Sequence, residues 1–381
     1  MEVKREPFKS KDNNRIVSEK EDKKVTLSIT GETQSKREDC KKEDKQKKSF
    51  FLCPKPPVPD KAVISPITQR GLIRRDLLLT SPERPIPVSV SSCGPVLKDT
   101  WDEALSHTMM KLYMNTEQDY TIDIFSRMMK RQSKHVLQAV DIPEAVTPEM
   151  RTVLVNWLVQ VHEFLDLHEE TLYLAVYLMN SYMKVHKIQT LFLQLLAVSC
   201  LFIACKMEEK LIPQPADLCF MMEDAFSKKE LLKMEKKVLY RLRFELQYIQ
   251  PLHFLRLLSI TGKCPENVEY LAMYFMELTL LEADGAMIEP ALLASSALSL
   301  AQMVFQESGI LSPDPGGQVP LYSYSDADLI LPRQLMGRAA LRARSDSKSS
   351  WKKYSRGQRH RVSTGPAMSS PKHLSRCIGL L

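Results

Sequence analysis

Along the middle of this chain apolar residues recur at helical spacing. From Tyr120, the residues Ile122, Ile124, Phe125, Met128 and Met129 predict an amphipathic helix ending near Gln132. Thr147-Pro148-Glu149 is a stronger start signal: a hydroxyl to cap, a proline where no N–H is needed, and an acid against the helix dipole. The helix it opens runs to about Asp166, with Met150, Val153, Leu154, Trp157, Leu158, Val161, Phe164 and Leu165 forming one broad apolar face. Residues 169–183 read as amphipathic, 191–207 as apolar on all sides, and 227–241 as a helix opened by a Ser227/Glu230 capping box. Pro213 and Pro215 break the chain before a short helix at 216–222. After Pro251 come helices at 252–260, 266–281 and 290–306, then a break at 312–317 and a further helix at 326–343. No useful period-two alternation occurs between 120 and 306, so the fold class is all-α: two successive helical bundles, each built round a strongly apolar middle helix.

The flanks read differently. Residues 1 to about 48 are Lys, Arg, Glu, Asp, Ser and Asn with few aliphatics, and prolines dominate from Phe50 to about Lys98. Neither stretch buries enough apolar surface to offset the entropy of ordering. The expected organisation is a disordered tail over 1–117, bundles over 118–249 and 250–356, and a basic, Ser-rich flexible tail over 357–381.

Composition narrows the chemistry. The chain has 381 residues, 53 basic against 46 acidic, a net charge of +7; the signs are mixed, not gathered into a basic stripe, which argues against a nucleic-acid role. Its eight cysteines form no CxxC pair and no metal-spaced Cys/His set, and no secretory signal opens the chain; reduced thiols inside a cell are expected. The longest apolar stretch, 191–205, is shorter than the roughly 20 residues of a membrane span and is interrupted by Gln194 and Ser199, so a buried core helix is expected and no membrane association. No Gly-rich phosphate loop, HExxH or Gly-x-Ser-x-Gly elbow is present, and Thr261-Gly262-Lys263-Cys264 lacks the earlier glycines of a P-loop. No catalytic residue, metal site or cofactor is expected.

Four ordered stretches resemble the cyclin box of mitotic cyclins: residues 150–161 (MRTVLVNWLVQV) its opening helix, 170–176 (ETLYLAV) the second, 201–209 (LFIACKMEE) the end of the third, and 226–235 (FSKKELLKME) the fifth. Residues 322–329 and 352–355 are more loosely similar to closing segments of the C-terminal cyclin fold. The resemblance covers about 120–370 and lies in the mitotic A/B-like part of the family, nearest its P branch and close to its O branch. It implies two tandem cyclin-box bundles and a regulatory subunit, not an enzyme, that binds and activates a cyclin-dependent protein kinase in cell-cycle control. A cyclin-fold adaptor that binds a partner without activating a kinase is the alternative.

By this resemblance Lys206 and Glu235 form a polar clamp on kinase main-chain groups, with Met207, Leu239 and Leu246 beside it. Composition alone favours solvated helix faces for the two charged residues, a reading that the matched flanking motifs reverse, and the three apolar ones could equally be core. Met150, Val153, Leu154 and Trp157, with Gln194, correspond to a shallow patch that docks Arg-x-Leu peptides of substrates or inhibitors, although any buried helix face has the same spacing. Two positions depart from the family. Gln160 stands where an acid often attracts the peptide's basic residue, which predicts weaker docking, and Asn180 stands where an aspartate usually neutralises Arg151, so that Arg151 must find another partner, stay hydrated or cost stability. In the N-terminal tail, Arg74, Arg75, Leu77 and Leu78 give two Arg-x-x-Leu registers like a destruction box, implying a ubiquitin ligase as partner, and Lys41, Lys42, Lys45, Lys47 and Lys48 resemble a nuclear-localisation signal. Nucleus and cytoplasm are the expected locations. Ser65, Ser81, Ser312 and Ser370, each followed by proline, are candidate phosphosites.

Overall fold

Thr147 begins the first bundle as its sequence predicts: the side-chain oxygen accepts a hydrogen bond from Met150 N at 3.2 Å, and Pro148 opens the helix. The structure, a computed structural model, describes residues 103, 105–110, 120–138, 141–311, 324–345 and 348–380. The destruction-box residues, the lysine run, Ser65, Ser81 and Ser312 lie outside the described residues.

Helix α1 spans Thr121–Arg131. The first bundle contains α2 (Pro148–Phe164), α3 (Glu169–Val185), α4 (Leu193–Glu208), α5 (Pro215–Met221) and α6 (Lys228–Arg241). The second contains α7 (Pro251–Thr261), α8 (Glu266–Leu281), α9 (Pro290–Glu307), α10 (Asp326–Ser345), α11 (Ser349–Lys353), α12 (Pro366–Ser369) and α13 (Pro371–Cys377). Among the described residues there is no strand.

Helix α4 is the axis of the first bundle, packed on α3, α6 and α2, with every residue from 195 to 205 buried. Each buried Leu, Val, Ile or Phe there contributes about 1.5–3 kcal/mol relative to exposure. This is the strongly apolar core helix expected from the sequence: residues 190–208 are long and apolar enough to cross a membrane, yet the rest of the bundle buries most of them. In the second bundle α9 takes the same central place, against α7, α8, α10 and α13. Capping boxes close the starts of α6 (Ser227 with Glu230) and α5 (Gln214 with Asp217), the second of which the sequence reading did not single out.

Two segments differ from the expected flanks. Residues 105–110, expected in the disordered tail, are helical; Leu105 and Met109, four apart and therefore on one face, pack on Leu257 of α7 beside Ile122 and Phe125. Ser106 and Thr121 fix the approach through a 2.8 Å hydroxyl pair. The segment from Gly357, expected as a loose basic tail, folds back as short helices that bury Val362, Ala367, Leu374 and Ile378 in the second core. A few apolar anchors outweigh its basic composition because Gly337 of α10 leaves room for Ile378: a Cβ there would meet the Ile378 side chain at 2.6 Å.

Candidate partner-binding site

The last turn of α4 places Lys206 opposite Glu235 of α6, and the Lys206 ammonium donates to Glu235 Oε1. The same ammonium sits 4.0 Å from the centre of the Phe202 ring, a cation–π contact that fixes its stem. The Lys206 side chain is 41% exposed and that of Glu235 11%, so the carboxylate is a seated anchor and the ammonium faces outward. Lys206 uses one of its three N–H donors on Glu235, and Glu235 Oε2 accepts no hydrogen bond among the described residues. A charged donor set and a charged acceptor therefore stand side by side, ready to bind main-chain carbonyls and amides as charge-assisted bonds.

Apolar side chains follow both members of the pair along the chain. Met207 is 55% exposed, and Leu239 and Leu246 are half-buried. The chain leaves α6 through two left-handed residues, Arg243 (φ 52°) and Phe244 (φ 59°), which turn Phe244 outward to 61% exposure. Phe244 meets Tyr240, itself 64% exposed, edge to face at 5.9 Å. Tyr240 and Phe244 were missed at the sequence level. The signal was weak: an aromatic pair four residues apart at a helix end looks like core until the turn that exposes it is seen.

The glutamates following Lys206 are structural. Glu209 accepts from His168 N at 2.8 Å and from the Thr171 hydroxyl, tying the end of α4 to the start of α3. Glu208 Oε1 accepts from Gln250 Nε2 at 3.2 Å, at the entry to α7, and its partial burial pushes the Glu208 carboxyl above its ordinary range.

Helix α2 has two faces with different tasks. One presents Met150, half-buried, and Val153, 47% exposed, above the buried Leu154 and Trp157, with Gln194 half-buried on α4; Trp157 Nε1 has no hydrogen-bond partner among the described residues. The other face is polar and holds the second bundle. Thr152 Oγ1 donates to the Leu281 carbonyl at 2.8 Å, Asn156 Oδ1 accepts from Ser349 N at 2.9 Å, and Gln160 Nε2 donates to Ser349 Oγ at 2.9 Å. Gln160 is therefore engaged with α11.

Arg151, 1% exposed, is the most buried cation of this face. Its Nη1 donates to the carbonyls of Leu280 at 2.8 Å and Leu281 at 3.2 Å, and its Nε to Asn180 Oδ1 at 3.2 Å. The partner that replaces a carboxylate is the carboxyl-terminal end of α8, whose unpaired carbonyls carry partial negative charge. Burial, partly offset by Glu282, lowers the Arg151 pKa to about 10, so it stays charged near neutrality.

Further along the junction, Lys353 lies buried against Glu277 (Nζ to Oε2 2.6 Å), with Glu169 Oε1 at 3.8 Å; Arg359 also pairs with Glu169, Arg356 with Glu163, and Arg256 with Glu170. Burial alone would raise the Glu169 pKa, but Lys353 and Arg359 outweigh it and hold the carboxyl below its ordinary value. His162, fully buried beside Lys353, has its pKa lowered to about 3 by desolvation and that cation; its Nε2 donates to the His168 carbonyl at 2.8 Å. Among the described residues no group of His, Cys, Asp and Glu is placed to hold a metal ion.

Comparison with known proteins places this geometry in context. Residues 123–247 match the family described as Cyclin, N-terminal domain, and residues 249–368 match Cyclin, C-terminal domain. Similar proteins include the G2/mitotic-specific cyclin-B2 of Oryzias luzonensis, 32% identical over 269 residues, covering 68% of this chain and 66% of that protein. The G2/mitotic-specific cyclin-B of Patella vulgata is 31% identical over 255 residues, covering 66% of this chain and 61% of that protein. The chain thus spans just under two thirds of the length of these relatives. A viral cyclin from herpesvirus saimiri, 19% identical, covers 57% of this chain and 96% of its own, with a TM-score of 0.48.

Proposed function

Because the chain belongs to the cyclin family, as the two domain matches establish, we propose that it binds and activates a cyclin-dependent serine/threonine protein kinase through the surface centred on Lys206 and Glu235. The observation that carries this reading is the outward-facing Lys206–Glu235 pair, with Met207, 55% exposed, directly after Lys206 in the chain. A merely solvated helix face would need neither a carboxylate seated at 11% exposure against an ammonium nor a large exposed apolar side chain beside them.

Kinase catalysis requires a strand lysine to pair with a glutamate on a mobile helix. A partner that binds only the inward position of that helix shifts the equilibrium toward the active form. Moving it from 1:99 to 99:1 takes about 5.5 kcal/mol of differential binding. A protein interface of ordinary size supplies that amount when its central anchors are well packed. In this reading the cyclin contributes no reacting group.

The apolar face of α2 around Met150 and Val153 is proposed to receive Arg-x-Leu peptides weakly. Gln160 supplies no charge for the peptide's basic residue and is already bonded to Ser349. Strong, salt-sensitive peptide binding in a fluorescence titration would overturn that part.

The deciding experiment captures a panel of cyclin-dependent kinases on the full chain and on the Lys206→Ala/Glu235→Ala double variant, then assays the captured kinase on a generic substrate. Capture with activity, lost in the variant, is the expected result. Capture without activity would favour an adaptor, and capture indifferent to both substitutions would remove the clamp assignment.

A further inference from the structure

Where α2, α3, α7, α8 and α9 converge, a cavity of about 40 Å³ is left between the two bundles. That exceeds the roughly 10–15 Å³ that one water needs by the same measure. Its wall carries one cation, Arg151, and no aspartate or glutamate. Pro251 and Pro290, the first residues of α7 and α9, also form part of it, so two helix amino-terminal ends adjoin the same space, although proline offers no N–H and Ala291 N of α9 already donates to Gln132 Oε1 at 2.8 Å.

The wall is also short of acceptors for its donors. Arg151 donates from Nε and Nη1, to neutral oxygens only, and makes no hydrogen bond from Nη2 among the described residues. Tyr173, on the wall and fully buried, has a hydroxyl with no hydrogen-bond partner among the described residues. Tyr177, stacked on Tyr248 at 4.2 Å, pairs its hydroxyl with His135 Nδ1 at 3.0 Å, and burial together with Arg131 and Lys134 keeps that histidine below its ordinary pKa. The carboxylate closest in effect to Arg151, Glu282, lies off the cavity wall and is bonded to Arg342.

Water filling this space would satisfy the Tyr173 hydroxyl and leave the arginine charge uncompensated. A buried charge without a counter-charge is costly, and the α8 carbonyls and Asn180 supply only partial charges. We propose that the cavity binds one small monoanion, a chloride or a carboxylate group of similar size, against Arg151 and the amino-terminal ends of α7 and α9. Bound there, the anion is a third partner in the contact between the bundles. It stabilises their junction independently of any kinase.

The test is thermal unfolding of the full chain in sodium chloride or sodium formate, each titrated against sodium gluconate at constant ionic strength, gluconate being too bulky to enter. The expected result is a saturable rise in Tm with the small anion. Chloride acting alone identifies a halide site; formate acting as well identifies a general monoanion site. Asn180→Asp, which supplies an internal counter-charge, is expected to abolish the anion dependence. Tyr173→Phe keeps the charge and removes one donor, and is expected to raise the half-saturating concentration several-fold. Crystals soaked in bromide read the site directly, with an anomalous peak beside Arg151 expected. A Tm that does not distinguish the small anions from gluconate, an Asn180→Asp variant with the wild-type dependence, or ordered water in place of bromide would each overturn the proposal.

Discussion

The Arg151 guanidinium donates to the Leu280 carbonyl at 2.8 Å, across 129 residues of sequence, and so caps a helix of the second bundle from the first helix of the other. The cation that lacks its usual acidic neighbour is thereby recruited to hold the two bundles together, and Thr152 shares the Leu281 carbonyl with it.

Truncating that contact is expected to be severe. Arg151→Ala strands the carboxyl-terminal carbonyls of α8 and removes a buried guanidinium, with an expected loss of about 3–5 kcal/mol, the cost of breaking a buried charged contact. Thr152→Val removes one hydroxyl bond and is expected to cost about 1 kcal/mol. Urea unfolding of both variants checks the ranking; equal losses would contradict it.

The Lys353–Glu277 pair makes a sharper prediction, since both side chains are at most 1% exposed. Glu277→Gln leaves an ammonium buried with Glu169 only at 3.8 Å and is expected to cost about 3–5 kcal/mol. Lys353→Met/Glu277→Leu removes both charges and is expected to recover most of that loss. A double-mutant cycle by chemical denaturation separates the two; a double variant as unstable as Glu277→Gln would show that the charges are not the cause.

Acid sensitivity follows from His162. Its folded pKa of about 3 lies below its ordinary 6.5, so the unfolded chain takes up the proton first. The stability tied to the neutral ring is fully present above 6.5 and is lost as pH falls toward 3, at up to about 1.4 kcal/mol per pH unit. Replacing His162 by Gln is expected to flatten the stability profile between pH 6.5 and 4 relative to wild type. Parallel profiles would refute it.

Exposed aromatics separate binding from folding. Tyr240 and Phe244, each more than 60% exposed, are expected to cost under about 0.5 kcal/mol of stability when changed to Ala. If the kinase covers them, the same substitutions weaken capture by about tenfold or more each, as interface anchors do. Unaltered capture with unaltered Tm would place the kinase elsewhere.

Two glycines should respond unequally. A Cβ on Gly285 would meet the Thr279 carbonyl oxygen at 2.1 Å, a backbone atom that cannot step aside, whereas one on Gly337 meets only the Ile378 side chain. Gly285→Ala is expected to destabilise the second bundle more than Gly337→Ala, and Gly337→Ala to show itself chiefly as faster proteolysis of the segment after Gly357.

The sequence by itself determined the helices of both bundles, because their signals are local: Thr147-Pro148, the Ser227/Glu230 box and the strongly apolar 195–205 run act within a turn or two of themselves. The resemblance paired Lys206 with Glu235, which do meet in the structure, and the sequence flagged Arg151 as lacking an acid at Asn180. Only the tertiary structure decided what Arg151 bonds instead, because the end of α8 lies 129 residues away and no periodicity reports it. The same holds for Gln160, whose partner Ser349 is 189 residues distant. Tertiary contact also reversed two compositional expectations. Residues 105–110 are a short stretch at the end of a polar and proline-rich flank, and those after Gly357 are basic and Ser-rich, yet Leu105, Met109, Leu374 and Ile378 each find a core already built by other segments. A short segment need not supply a core of its own when the rest of the chain provides one, and that is a fact about packing that composition does not carry.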